Sequence, residues 1–216
     1  MNNFRLFIGL PLPEAPTAAL ASIMPAIAGA GVRFRKWTHP QDLHITLHFL
    51  GDTPEARIHE LAALTAAAAA KAAPFTLALA RRPGVFGPPA AAPRVLWCGL
   101  AAPSASDAEG NTAGDAPMAL AALHALHAAL GERLRASGFA TEARSYRAHV
   151  TLARDAAAGY DAAALEAAWR DAFPAVPPVW PAAEVALYRT HLGRRPSYEA
   201  IGRYSIGTDS PTNILL

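Results

Sequence analysis

Hydrophobic and polar positions divide the chain into short apolar or alternating runs and longer alanine-rich stretches. The run from Phe4 to Leu10, ended by Pro11 and Pro13, predicts a first strand. Glu14 to Ala30, rich in Ala, Leu, Ile and Met and bounded by Gly29 and Gly31, predicts a helix. Val32 to Trp37 alternates apolar and basic residues, and Leu43 to Leu50 predicts another strand, closed by Gly51. Pro54 to Ala73 reads as a helix with Thr53 as its N-cap and Pro54 at its first position. Phe75 to Ala80 and Arg94 to Leu100 read as strands joined by a Pro/Gly-rich loop from Arg81 to Pro93.

Ala101 to Pro117 is small and polar, and is expected to be a flexible loop between two halves of the chain. Met118 to Ser137 predicts a helix stopped by Gly138. Arg147 to Ala153 is a strand, Tyr160 to Phe173 a helix ended by Pro174, and Glu184 to Thr190 and Ser197 to Ile206 are closing strands. The order is α+β with an approximate internal duplication.

Composition narrows the class. With 52% hydrophobic and 17% charged residues over 216 positions, the chain can bury a core as one large domain or two small lobes. Its net charge is +2, which does not support an extended nucleic-acid face, so any RNA contact should be short. Only Lys36 and Lys71 are lysines; the remaining positive charge is arginine, whose fork suits phosphate. A sole cysteine, Cys98, excludes an intrachain disulfide and a Cys-rich metal site. The run from Leu6 to Leu10 is too short for a signal peptide, and nothing approaches a membrane span. A soluble, cytoplasmic monomer is expected.

Two segments carry the chemistry: His44-Ile45-Thr46-Leu47 and His149-Val150-Thr151-Leu152. In a strand, side chains alternate faces, so His44 and Thr46 share one face while Ile45 and Leu47 turn to the core; His149 and Thr151 do likewise. In a shuffled chain of this composition, such a pair recurs with odds of order one in a hundred. Cleaving a phosphodiester with water needs a base for the nucleophile and an acid for the leaving oxygen; two imidazoles supply both without a metal. A threonine hydroxyl beside each can donate to a phosphate oxygen. Arg154, five residues after His149, can add a cation, but strict alternation would aim it away, so a bend must redirect it.

Other candidates are weaker. His48 alternates onto the face of His44 and could line the site, though a structural role is favoured. His124 and His127 are three apart on a helix, with no third ligand nearby, and read as an exposed face. His39, His59 and His191 form no pattern. Among Phe7, Trp37, Trp97 and Tyr146 one could stack a base, with core packing the simpler role. Arg81, Arg82, Arg194 and Arg195 read as solvated loop charge.

With these motifs and their flanks, the chain resembles the two-histidine phosphoesterases. Within them it is similar to the RNA 2′,3′-cyclic phosphodiesterases, historically called 2′-5′ RNA ligases. The resemblance runs through Arg5-Leu6-Phe7, Val32-Arg33, Trp37, Leu43 to Gly51, Phe86, Pro93 to Trp97, His149 to Arg154, Leu187 to Thr190 and Tyr198. Thr190 stands where many relatives have Ser, and Ala148 where they usually have Pro.

The resemblance implies one bilobal domain over residues 1–216, with two antiparallel sheets and flanking helices related by a pseudo-two-fold and a cleft between the lobes. It implies cofactor-free and metal-free hydrolysis of RNA 2′,3′-cyclic phosphate ends to 2′-phosphates, with reversible 2′-5′ ligation open. By motif position, His149 would activate water and His44 protonate the 3′ oxygen. Thr46 and Thr151 would hold the phosphate and Arg154 assist. The alternatives are action on 2′-5′ oligonucleotides or another small cyclic phosphate, and a non-catalytic RNA-end binding protein.

Overall fold

The computed structural model describes residues 2–87, 92–103 and 120–208. Nine strands and four helices follow in chain order among them. The order is β1 (Asn3–Pro11), α1 (Glu14–Gly29), β2 (Phe34–Trp37), β3 (His44–Pro54), α2 (Ile58–Lys71), β4 (Thr76–Phe86), β5 (Val95–Ala101), α3 (Ala121–Ala136), β6 (His149–Ala156), α4 (Ala162–Ala172), β7 (Val179–Pro181), β8 (Glu184–Thr190) and β9 (Tyr198–Ser205). Most of the loop expected from Ala101 to Pro117 lies outside the described residues.

The strands form one antiparallel path, β7-β4-β5-β6-β3-β1-β8-β9, with β2 also pairing β6. The two sheets expected from sequence are the two ends of this path. They meet at one recorded pair, Ile45 opposite Val150, between the two motif strands. The halves do not correspond to halves of the sequence. One holds β4 to β7, with β2 at its inner side; the other holds β1 and β3 together with the last strands, β8 and β9.

The helices cross over as well. α1 packs against α4, and α4 against β4 of the half that holds β4 to β7, whereas α2 packs against α3 and onto β8 and β9 of the other. Helices cover one face of the curled sheet and enclose one continuous core, from Leu6, Ile8 and Ile45 through Ile23 and Leu61 to Leu126, Val150 and Trp169. The opposite face carries a small separate cluster, Phe7, Ala186 and Tyr188, flanked by Tyr198 and Ala200.

Several boundaries shift from the sequence pattern. β3 does not stop at Gly51, which takes a positive φ of 66° within the strand; pairing to β1 continues to Asn3 opposite Pro54. Thr53 therefore sits in the strand instead of capping a helix. A short 3-10 turn over Glu55–Arg57 intervenes, and α2 starts at Ile58. Strand pairing outcompetes the local capping signal here, as tertiary context commonly does. β4 likewise runs through the expected loop to Phe86, rejoining β5 after an irregularity between Leu79 and Pro83. α4 begins at Ala162, where the Asp161 carboxylate accepts from the N–H groups of Ala163 and Ala164.

Candidate active site

The site is built on β3 and β6, the two strands that meet at Ile45 and Val150. Both of those side chains are fully buried in the core, so the residues on either side, His44, Thr46, His149 and Thr151, project from the other face, and all four are partly exposed. An antiparallel pair at 45 and 150 sets His44 beside Thr151 and Thr46 beside His149. All four predicted motif residues thus come together.

Arg154 reaches the same face by the bend the sequence demanded. Opposite β5, Trp97 pairs with Thr151 but Leu96 pairs with Ala153, so Leu152 is an extra, bulged residue. Leu152 and Ala153 are both buried, alternation resets, and Arg154 emerges with His149 and Thr151. Lys36 of β2 pairs directly with Arg154 and adds a second cation to that face.

β3 carries the matching bulge. Gly9 pairs with Thr46 but Ile8 pairs with His48, leaving Leu47 extra. Phe7, Gly9 and Pro11 face Phe49, Thr46 and His44; Val95, Trp97 and Gly99 face Arg154, Thr151 and His149. This register correspondence is the pseudo-two-fold. It also corrects the placement of His48: the bulge turns its ring away from the site and into the interior, 4% exposed.

The two catalytic candidates are held alike. His44 Nδ1–H donates to the Asp42 carbonyl at 2.7 Å, and His149 Nδ1–H donates to the Arg147 carbonyl at 2.7 Å. A carbonyl only accepts, so each neutral ring carries its proton on Nδ1 and leaves Nε2 basic. The His44 Nε2 lies 2.9 Å from Thr46 Oγ1, whereas the His149 Nε2 has no hydrogen-bond partner among the described residues.

Each imidazole leans on aromatic rings. His44 lies 4.6 Å from Phe7 and edge-on to Tyr198 at 5.1 Å; His149 lies edge-on to Phe86 at 5.1 Å and near Trp97 at 5.8 Å. The Arg147 guanidinium covers Trp97 at 4.6 Å. A Cβ at Gly84 would fall 2.1 Å from the Trp97 ring, so glycine lets that ring lie flat beneath the site. Desolvation pulls the His44 imidazole down to about 4, against the Asp42 carbonyl and carboxylate, which hold it up, and with His149 and Arg154 pushing it further down. Desolvation also lowers His149, reinforced by Arg154, Arg144 and Arg147. The site therefore has two neutral imidazoles amid positive charge, an environment that favours an anion.

Several supporting residues were missed in the sequence. The buried Asp42 carboxylate accepts the Ser197 N–H at 2.8 Å and the Tyr198 N–H at 3.0 Å, tying the start of β9 to the motif strand. The Tyr146 hydroxyl donates to the Thr46 carbonyl at 3.1 Å. Its ring stacks on His127 at 3.8 Å, and His127 stacks on His48 at 4.2 Å. His48 Nε2–H in turn donates to the His127 carbonyl at 2.9 Å. A Cβ on Gly131 would come 2.9 Å from His48, so that glycine admits the ring between β3 and α3. His124 and His127 are thus packed beside Tyr146 and not on an exposed helix face. Trp37 packs on the core side, against Phe34. Arg195 donates to the Trp37 carbonyl at 3.1 Å, and Arg81 to the Ala175 carbonyl at 2.9 Å, so neither is a purely solvated charge.

Among the described residues, no group of three or more His, Cys, Asp or Glu could hold a metal ion, and no helix is long and apolar enough to cross a membrane.

The model of the LigT-like phosphoesterases matches residues 10–97. The chain is 30% identical over 211 residues to the RNA 2′,3′-cyclic phosphodiesterase of Bacillus subtilis, covering 93% of this chain and 95% of that one. It belongs to the LigT-like phosphoesterase family. A second relative so named, from Thermus thermophilus, is 32% identical over 94% of this chain and 90% of its own. A third, from Geobacillus stearothermophilus, is 34% identical over 95% of this chain, which spans only 58% of that longer protein. Among solved structures, TT0787 of Thermus thermophilus matches with a TM-score of 0.64 at 28% identity, covering 95% of this chain and 100% of the other. The Escherichia coli LigT structure complexed with 3′-AMP matches in fold with a TM-score of 0.65 at 22% identity, covering 95% and 99%.

Proposed function

We propose that this LigT-like phosphoesterase hydrolyses RNA 2′,3′-cyclic phosphate ends to 2′-phosphates, with residues 1–216 acting as one catalytic unit. The observation that carries the reading is the paired arrangement of two imidazoles, each with Nδ1–H on a carbonyl two residues back and Nε2 on one sheet face. The activity named for the Bacillus and Thermus relatives supplies the substrate class.

His149 Nε2, without a hydrogen-bond partner among the described residues, takes a proton from water as its oxygen bonds to phosphorus. The P–O3′ bond breaks, and protonated His44 gives its Nε2 proton to the departing O3′. Thr46 and Thr151 hold non-bridging oxygens, and Arg154 stabilises the added negative charge. Binding an anion between these groups raises the lowered imidazole pKa values and so supplies the protonated acid.

The test is hydrolysis of a nucleoside 2′,3′-cyclic phosphate in EDTA, with the product located by ³¹P NMR. A 2′-phosphate is expected, with His44→Ala and His149→Ala each lowering kcat by roughly 100- to 10,000-fold. A 3′-phosphate would overturn the leaving group, and loss of activity in EDTA would overturn the metal-free mechanism. Binding with no turnover would move the reading to an RNA-end binding protein.

A further inference from the structure

Positive charge is left over on one flank of the site. Lys36 of β2 stands directly opposite Arg154 of β6, so two cations share a face with their Cα atoms about 5 Å apart. Both are exposed, and among the described residues neither takes part in an ion pair or a side-chain hydrogen bond. Like charges set opposite each other on neighbouring strands cost stability, and an anion lying between them removes that cost. A third cation reaches the same edge from the other half of the sheet. The loop between β8 and β9 is closed by the His191 N–H on the Ser197 carbonyl at 2.7 Å. Within it the exposed Arg195 donates to the Trp37 carbonyl at 3.1 Å, one residue from Lys36, and among the described residues no carboxylate pairs with it. The cations on the far flank of His149 differ: two hydrogen bonds hold Arg144 to Glu142, and Arg147 lies over the Trp97 ring.

We infer that Lys36 and Arg195 hold the phosphodiester on the 5′ side of the terminal nucleotide, so that the protein acts on the end of an RNA chain in preference to a free cyclic nucleotide. This rests on the cyclic-phosphate reading above and deepens it by giving the substrate a length. The reactive phosphate takes Arg154 together with the two threonines. The next anion outward along an RNA chain is the adjoining phosphodiester, one nucleotide away. Lys36 stands one strand spacing beyond Arg154, and its flexible stem carries the ammonium further out. A nucleoside cyclic phosphate brings one negative charge to this edge and leaves Lys36 and Arg195 without an anion; a dinucleotide end brings the second. Two cations suit one phosphodiester and no long tract, in keeping with a net charge of only +2. Contacts of this kind fix the register of the chain and read no base.

The test compares kcat/KM for the dinucleotide UpU ending in a 2′,3′-cyclic phosphate with that for the same dinucleotide joined by a methylphosphonate, which keeps both nucleosides and removes the linking charge. In the wild-type protein the charged dinucleotide is expected to be favoured roughly 5- to 30-fold, through KM, and the preference should shrink as KCl is raised. Lys36→Gln and Arg195→Gln should each lower that ratio, and together bring it close to one; Lys36→Arg should retain most of it. A wild-type ratio within twofold of one overturns the assignment. So does an equal fall on both dinucleotides in Lys36→Gln, which would give that residue a role at the reactive phosphate or in the fold. Uridine 2′,3′-cyclic phosphate, assayed alongside, separates the two readings. Its turnover with a dinucleotide ratio near one overturns only the 5′ subsite, whereas no turnover of any of the three overturns the cyclic-phosphate reading and the subsite with it.

Discussion

Removing the Asp42 carboxylate tests whether the first motif histidine is held from across the sheet. The side chain is 5% exposed, with Oδ1 at 2.9 Å from the Ser197 N–H and 3.0 Å from the Tyr198 N–H, and Oδ2 at 2.8 Å from Ser197. In Asp42→Ala two backbone donors lose a charged acceptor. Each loss costs about 1–3 kcal/mol, and water at the partly exposed Ser197 and Tyr198 offsets some of it, leaving about 2–4 kcal/mol. For a chain of this length that is a fall of roughly 5–15 °C in Tm. Asp42→Asn keeps one acceptor oxygen and should lose about half as much.

Activity should fall beyond the loss of folded protein. Tyr198 sits edge-on to His44 at 5.1 Å and to Phe7 at 4.9 Å, so freeing the start of β9 loosens the wall behind the imidazole. The Asp42 charge also holds the His44 pKa up, and Asp42→Asn should therefore lower it below about 4. Urea unfolding followed by tryptophan fluorescence gives the stability, and kcat at a temperature where both proteins are folded gives the rest. A change under about 0.5 kcal/mol in Asp42→Ala would refute the reasoning, because it would mean that water satisfies both donors equally well.

Two further outcomes follow from the site's electrostatics and its supports. Burial holds both imidazoles below their usual pKa, and the reaction needs one charged and one neutral. The proportion with a single proton therefore grows as pH falls from 7, and kcat/KM should peak below pH 6.5; a peak above 7 in a pH–rate profile would contradict this. Tyr146→Phe removes one hydrogen bond to the Thr46 carbonyl and should cost about 1 kcal/mol in urea unfolding. Its kcat should fall while the ring stack on His127 keeps the fold, and an unchanged kcat would make Tyr146 merely a packing residue.

The motif pairs were legible because strand periodicity alone sorts His44 and Thr46 from Ile45 and Leu47, and the burial pattern follows that alternation. Arg154 was legible as a residue but not as a geometry. Its bulge shows in the sequence only as two adjacent core residues, Leu152 and Ala153. On β3 the equivalent doublet is Leu47 and His48; a buried histidine hides the signal, so strict alternation sets His48 on the site face although the structure buries it. β7 is three residues long and bounded by prolines, too short for any period to register. The pairing of α1 with α4 and of α2 with α3 depends on contacts remote in sequence, which no local pattern encodes.

The weaving of the chain between the two ends of its sheet governs when the fold can form. Leu6 pairs with Arg189 and Phe7 with Tyr188, so the strand beside His44 must wait for almost the entire polypeptide before its outer neighbour exists. Until β8 and β9 emerge, β1 and β3 are joined to the rest of the sheet only through the Ile45–Val150 pair with β6, and α2 lacks the two strands it packs onto. Pairings this distant in sequence slow folding and cannot be completed piecemeal during synthesis. A ribosome-bound chain stalled before Glu184–Thr190 would leave β1, the strand beside the first histidine motif, as an open edge, a substrate for chaperones before it is an enzyme for anything.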